Sequence, residues 1–169
     1  MTMQTDVKQA HINASGFLVI GRTRVRAISF TGSATAGYVT LFDTTTAPVT
    51  TATYGRSGTT VTVSSTTHGL KTGDVIGIDF AAGTGGTATN GNYVVTVTNA
   101  NTFTITDINS GSITAGAAMA YAGGWLMTYD VAANDPYNNS PFIPGEGVLV
   151  VNGVYALMSN AAATNIYYG

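Results

Sequence analysis

The chain has 169 residues, of which only 8% are charged and 44% are hydrophobic, and its formal net charge is -2. So much hydrophobic content excludes a disordered polyelectrolyte, and six basic residues against eight acidic ones leave no general nucleic-acid footprint. Cysteine is absent, which excludes disulfides and thiolate metal sites, and the apolar runs, about four or five residues long, fall far short of the ~20 that cross a bilayer as a helix.

The first ten residues have no basic start followed by an apolar stretch, so no secretory leader is expected. The segments that follow read as strands. Ala14–Ile20, Arg24–Phe30 and Gly37–Asp43 come first, and Phe17-Leu18-Val19-Ile20 is apolar on both faces. A strand of that kind needs cover on both sides. From residue 59 the pattern changes to strict alternation of Thr with Val, Ile or Phe, the mark of one dry and one wet face. Thr59–Ser64, Tyr93–Thr98 and Thr102–Thr106 carry it, and Asp74–Phe80 joins them as a strand, with Ala117–Tyr121 closing the group. The two-faced pattern then returns in Trp125–Val131, Gly147–Val151, Val154–Met158 and Asn165–Tyr168.

Turn residues separate these segments. Asn152-Gly153, between Val148–Val151 and Val154–Met158, predicts a type I′ hairpin, and Asn90-Gly91 reads the same way. Gly83-Thr84-Gly85-Gly86 lacks the Gly-Lys-Ser/Thr of a phosphate loop and predicts a flexible hairpin tip. Ala161-Ala162-Ala163 is too short to stand as a helix. The fold expected is all-β: a β-sandwich or jelly-roll-like framework made of residues 1–54 and 122–169, carrying an inserted small β-barrel of residues 55–121. The Gly clusters near Thr53–Gly58 and Ala120–Gly124 place the junctions.

Little catalytic chemistry is visible. Nucleophilic catalysis needs a base beside a nucleophile, and the two histidines stand apart in sequence. His11 lies in a polar stretch, and His68 sits in a His-Gly-Leu turn that a ring hydrogen bond to a backbone group or to Asp74 would fix. Asp74 and Asp79 are five positions apart, which points them to opposite strand faces and away from a shared ion. Asp130, Asn134, Asp135, Asn138 and Asn139 are oxygen-rich, but their spacing matches no EF-hand, and Asx residues serve loop backbones in general. No catalytic residue, metal or cofactor is expected, and the chain is not read as an enzyme.

Partner binding has better candidates. Arg22, Arg24 and Arg26 alternate, which places half of the chain's basic residues on one strand face, shared with Ile28 and Phe30. Such a stripe is either a guarded sheet edge or a dock for carboxylates, which guanidinium forks bind in pairs. Trp125, Tyr129, Tyr167 and Tyr168 add the aromatic side chains that oligomer interfaces favour. On Trp125–Val131, the face formed by Trp125, Met127, Tyr129 and Val131 is apolar.

Two resemblances follow from these residues. His68-Gly69-Leu70-Lys71-Thr72-Gly73-Asp74, then Asn90-Gly91-Asn92-Tyr93, then Asn101-Thr102-Phe103-Thr104, resemble the small β-barrel insert of viral structural proteins, often likened to the first catalytic-cysteine half-domain of ubiquitin-activating enzymes. The likeness is to a shape and implies no catalysis. Arg24-Val25-Arg26, Gly32-Ser33, Thr40-Leu41-Phe42-Asp43, the step from Phe142 to Val148 and the terminal Ile166-Tyr167-Tyr168-Gly169 resemble phage virion decoration, cement or head-fibre proteins. The resemblance implies a homo-oligomeric structural protein, made in a host cytoplasm, that binds the major capsid protein on the outer shell without contacting membrane or nucleic acid. The alternative is a tail-fibre or adhesin component that binds host surface glycan through the tip around residues 81–90.

Overall fold

The computed structural model describes residues 7–134, 143 and 145–169, which form thirteen strands and no helix. The fold is all-β. Two compact units divide the chain, one of residues 1–47 with 127–169 and one of residues 48–126.

The first unit is a sandwich of two four-stranded sheets. One sheet has the order β1 (Lys8–Ile12), β13 (Ala161–Tyr168), β3 (Thr23–Gly32), β11 (Val148–Val150). The other has the order β10 (Gly124–Val131), β4 (Gly37–Asp43), β12 (Gly153–Ser159), β2 (Gly16–Ile20). Every pairing described is antiparallel. Val25, Ile28, Val39, Leu41, Val150, Val154, Ala156 and Ile166 are buried between them, and Phe30 of β3 meets Tyr129 of β10 at 5.5 Å between ring centres. Burying a side chain of this kind contributes roughly 1.5–3 kcal/mol. Strand β1 was not anticipated, because Lys8, Gln9 and His11 hide the pattern; it exists because Lys8–Ile12 pairs in full register with Tyr168–Thr164.

The expected hairpin at Asn152-Gly153 is not one. Strand β11 pairs β3 in one sheet, whereas β12 pairs β2 and β4 in the other. The Asn-Gly step is a corner between sheets, and the carboxylate of Asp43 holds it. Asp43 accepts the backbone N–H of Val151 (2.9 Å), Asn152 (2.7 Å) and Gly153 (3.2 Å). Gly21 N–H donates to the Asn152 carbonyl (2.8 Å), tying the end of β2 to the same corner. A Cβ on residue 153 would lie 2.8 Å from the Val19 carbonyl oxygen, so glycine is needed here for close approach.

The second unit is a small barrel built on one long ribbon, β5 (Val49–Ser64) against β9 (Thr102–Ala122). On its other edge, β9 pairs β6 (Val75–Phe80) at one end and β8 (Thr96–Asn99) at the other. Strand β6 pairs β7 (Gly91–Val94), which runs on through Val95 into β8. The hydrogen-bond ladder thus returns to β9 and closes. Inside lie Tyr54, Val61, Val63, Ile76, Ile78, Phe80, Val95, Phe103, Ile105 and Tyr121, in the alternation that the Thr-rich segments carry.

The glycines expected to mark linkers are within strands. The ladder slips opposite Gly55 and just past Gly58, where β9 carries the extra residues (114–116 and 107–110) and so bulges, and β5 and β9 run unbroken past the expected junctions at 54/55 and 121/122. The division between units falls instead at 47/48 and at 126/127, the latter inside β10.

Replacing Asp43 by Ala is expected to destabilise the sandwich unit by about 2 kcal/mol, since three amides lose a charged acceptor. Asp43→Asn keeps one acceptor oxygen and should recover part of that loss, read from urea denaturation midpoints.

Candidate interaction surface

The proposed arginine stripe is split by a bulge in β3. Pairing with β13 passes from Tyr168–Val25 to Tyr167–Ala27, leaving Arg26 as the extra residue. The inward phase therefore moves from Val25 to Ile28. Ile28 and Phe30 are core residues, while Arg22 and Arg26 are exposed and Arg24 is half-buried. The arginines do not share a face with Ile28 and Phe30, because alternation fails across the bulge. Arg22 lies outside β3, in the turn after β2.

Arg22, Arg24 and Tyr168 do come together. With Lys8, Ile20 and Leu149 they line an open groove of about 590 Å³ at the corner where β2, β3 and β11 meet. Three apolar side chains stand in solvent here and on the adjoining turn. Ile20 is 84% exposed, Val151 58% and Leu149 40%. These belong to the segments read as apolar on both faces. Strand β4 has the same character and is covered on both, with Thr40, Leu41 and Phe42 all buried. Strands β2 and β11, each the last strand of its sheet among the described residues, are not. Arg24 Nη2 faces Glu146 Oε2 at 3.4 Å, an exposed pair of modest energy.

The other aromatic candidates lie elsewhere. Tyr129 packs on Phe30, and burial raises the pKa of its hydroxyl. Tyr167 sits in the ladder between Gln9 and Ala27. Trp125 belongs to the barrel unit, where the Asn92 side chain clamps its backbone: Trp125 N–H donates to Oδ1 (2.8 Å) and Nδ2 donates to the Trp125 carbonyl (3.0 Å). Of Trp125, Met127, Tyr129 and Val131, only Val131 is fully buried. Asp135, Asn138, Asn139 and Phe142 lie outside the described residues.

His68 fastens a turn through ring hydrogen bonds to backbone groups, the first of the two arrangements expected. Leu70 N–H donates to Nδ1 (3.0 Å), which fixes the neutral ring with Nε2 donating to the Asn99 carbonyl (2.9 Å). Asp74 instead accepts the N–H of Lys71 (2.8 Å). The tip at Gly83–Gly86 is not free. Gly83 and Gly86 exchange backbone hydrogen bonds, Thr114 N–H donates to the Thr84 carbonyl (3.0 Å), and a Cβ on residue 85 would meet the Ser112 carbonyl oxygen at 2.3 Å. The tip is laid against β9.

One constellation escaped the sequence reading. Arg56 Nη1 and Asp107 Oδ2 lie 2.5 Å apart inside the barrel, with side chains 7% and 0% exposed. Burial pushes the Asp107 carboxyl up. The N–H of Asn109, the Thr89 side chain, Arg56 and the N–H of Thr89 outweigh it and hold the pKa below the ordinary aspartate value. A Cβ on residue 111 would lie 2.8 Å from Arg56 Nη2, so Gly111 makes room for the guanidinium. The alternation Phe103, Ile105, Asp107 is the signal that could have placed this carboxylate indoors.

Comparisons with family models, with curated proteins and with solved structures returned no match to this chain.

The buried pair predicts an acid-sensitive barrel. Its folded carboxyl titrates below the unfolded one, so the stabilisation is complete above the ordinary aspartate range and is lost progressively as the pH falls from that range through the lower folded value. Asp107→Asn should lose about 3 kcal/mol at pH 7, because it strands a buried guanidinium. It should also lose less further stability than wild type when denaturation is repeated at about pH 3.

Proposed function

We propose that this chain is a virion structural protein, a capsid decoration or cement protein that attaches through its sandwich unit and presents the barrel unit as a separate module. The reading is carried by one observation: Ile20, Leu149 and Val151 stand in solvent beside Arg22 and Arg24 at a single corner of the sandwich. Apolar side chains grouped with arginine make a recognisable protein contact, since the apolar part supplies burial energy and guanidinium gives orientation. The proposed partner is the major capsid protein on the outer shell. Repetition over many symmetric positions would let a corner of this size hold firmly, because each attachment raises the effective concentration of the next. The resemblance of Arg24-Val25-Arg26, Thr40-Leu41-Phe42-Asp43 and the terminal aromatic strand to decoration proteins supports the same reading.

Purified protein mixed with emptied capsids should bind at a fixed ratio to the major capsid protein, measured by co-sedimentation. Ile20→Asp combined with Val151→Asp should weaken attachment by about tenfold or more, as expected when two apolar contacts are replaced by carboxylates. Failure of the unaltered protein to attach to any shell would end the proposal.

A further inference from the structure

We infer that the corner groove of the sandwich unit receives an extended acidic segment of a protein partner, and that Glu146 occupies the carboxylate position until the partner arrives. The inference rests on the reading of the sandwich as a docking unit and names what docks.

Three features of the groove point to this occupant. Its rim carries Lys8, Arg22 and Arg24, half of the six basic residues of the chain, and no Asp or Glu side chain lines it. Its apolar part is Ile20, Leu149 and the ring of Tyr168. A carboxylate with an apolar neighbour matches both, whereas a nucleic-acid strand would call for a longer cationic track. The volume, about 590 Å³, lies within the range of roughly 300–1,000 Å³ typical of ligand clefts.

The chain itself supplies the model for the contact. Glu146 sits between Gly145 and Gly147, whose φ values of 70° and 82° belong to the left-handed region. A Cβ on residue 147 would lie 2.3 Å from the Val25 carbonyl oxygen, so this turn is pressed onto β3 beside Arg24. The result is an acidic turn brought to the edge of the groove, with its carboxylate 3.4 Å from Arg24 Nη2. Glu146 is 82% exposed and Arg24 36% exposed. A pair so hydrated is weak, so an incoming carboxylate can replace it at little cost. The incomer gains a second guanidinium in Arg22 and apolar contact on Ile20 and Leu149, neither of which Glu146 supplies.

The test uses the full chain, isotope-labelled for NMR, titrated with a capped peptide of alternating Asp and Leu and with its Asn counterpart. Shifts centred on Ile20, Arg24 and Leu149 are expected for the Asp peptide, with at least about fivefold weaker binding of the Asn peptide, the size of an ordinary exposed charge contact. Glu146→Gln should tighten the Asp peptide about two- to fivefold by removing the competitor. Asp130→Asn, on β10 at the opposite edge of its sheet from β2, removes the same charge and should leave affinity unchanged. Equal binding of both peptides, shifts centred elsewhere, equal effects of the two substitutions, or preference for a single-stranded oligonucleotide over the Asp peptide would each overturn the inference. Capsid attachment that survives Arg22→Ala with Arg24→Ala would overturn it while leaving the decoration reading intact. Peptide binding in the groove without attachment to any shell would do the reverse.

Discussion

The carboxylate of Asp43 holds three successive amides, and the shape of the sandwich corner depends on it. A backbone N–H turned away from a ladder takes its acceptor from water or from a side chain, and one carboxylate that accepts from several fixes the path of the chain between them. At residues 151–153 the chain leaves one sheet and enters the other, so the ladders cannot serve those amides. Asp43, the last residue of β4, serves all three. With the corner fixed, β11 is delivered to β3 and β12 to the space between β4 and β2. Leu149 then arrives beside Ile20 and Arg24, and the groove exists.

The same need shapes the barrel. A ribbon as long as β5 with β9 has to bend to close, and bending breaks ladder bonds. The slips opposite Gly55 and just past Gly58, where β9 carries the extra residues, absorb the bend. The inward row then passes from valines and phenylalanine to Arg56 and Asp107. A buried ion pair is a poor source of net stability, yet breaking one side is costly. Its use here is to tie β5, β9 and the Thr89 loop to one point, since Asp107 accepts from Arg56, Thr89 N–H and Asn109 N–H together.

Much of this architecture was legible because period-two alternation survives in the Thr-rich segments. Val61, Val63, Phe103 and Ile105 fall inside as the pattern requires. The pattern misled where one residue was inserted. Arg26 shifts the phase of β3, and a stripe drawn by parity from Arg22 to Phe30 crosses from surface to core. Asn152-Gly153 misled for a different reason. The dipeptide reports a permissive backbone, and a sheet-to-sheet corner asks for the same permission as a hairpin. What separates the two is Asp43, more than a hundred residues earlier in the chain, which no local window contains. Strand β1 was hidden because an edge strand has one neighbour and tolerates Lys8, Gln9 and His11.

A chain with so few charges shows what each is for. Among the described residues, Asp43, Asp74 and Asp107 accept backbone N–H groups, and Asp79 takes the Asn90 amide at 2.5 Å. These carboxylates serve as internal acceptors, and Arg56 is spent on Asp107. Lys8, Arg22 and Arg24 line one groove, and Glu146 stands beside it, 3.4 Å from Arg24. On a surface covered largely by hydroxyls, amides and glycine, dissolved salt limits the reach of such a cluster to about 8–10 Å. A carboxylate would therefore be selected at that corner only at short range, where Ile20 and Leu149 add apolar contact.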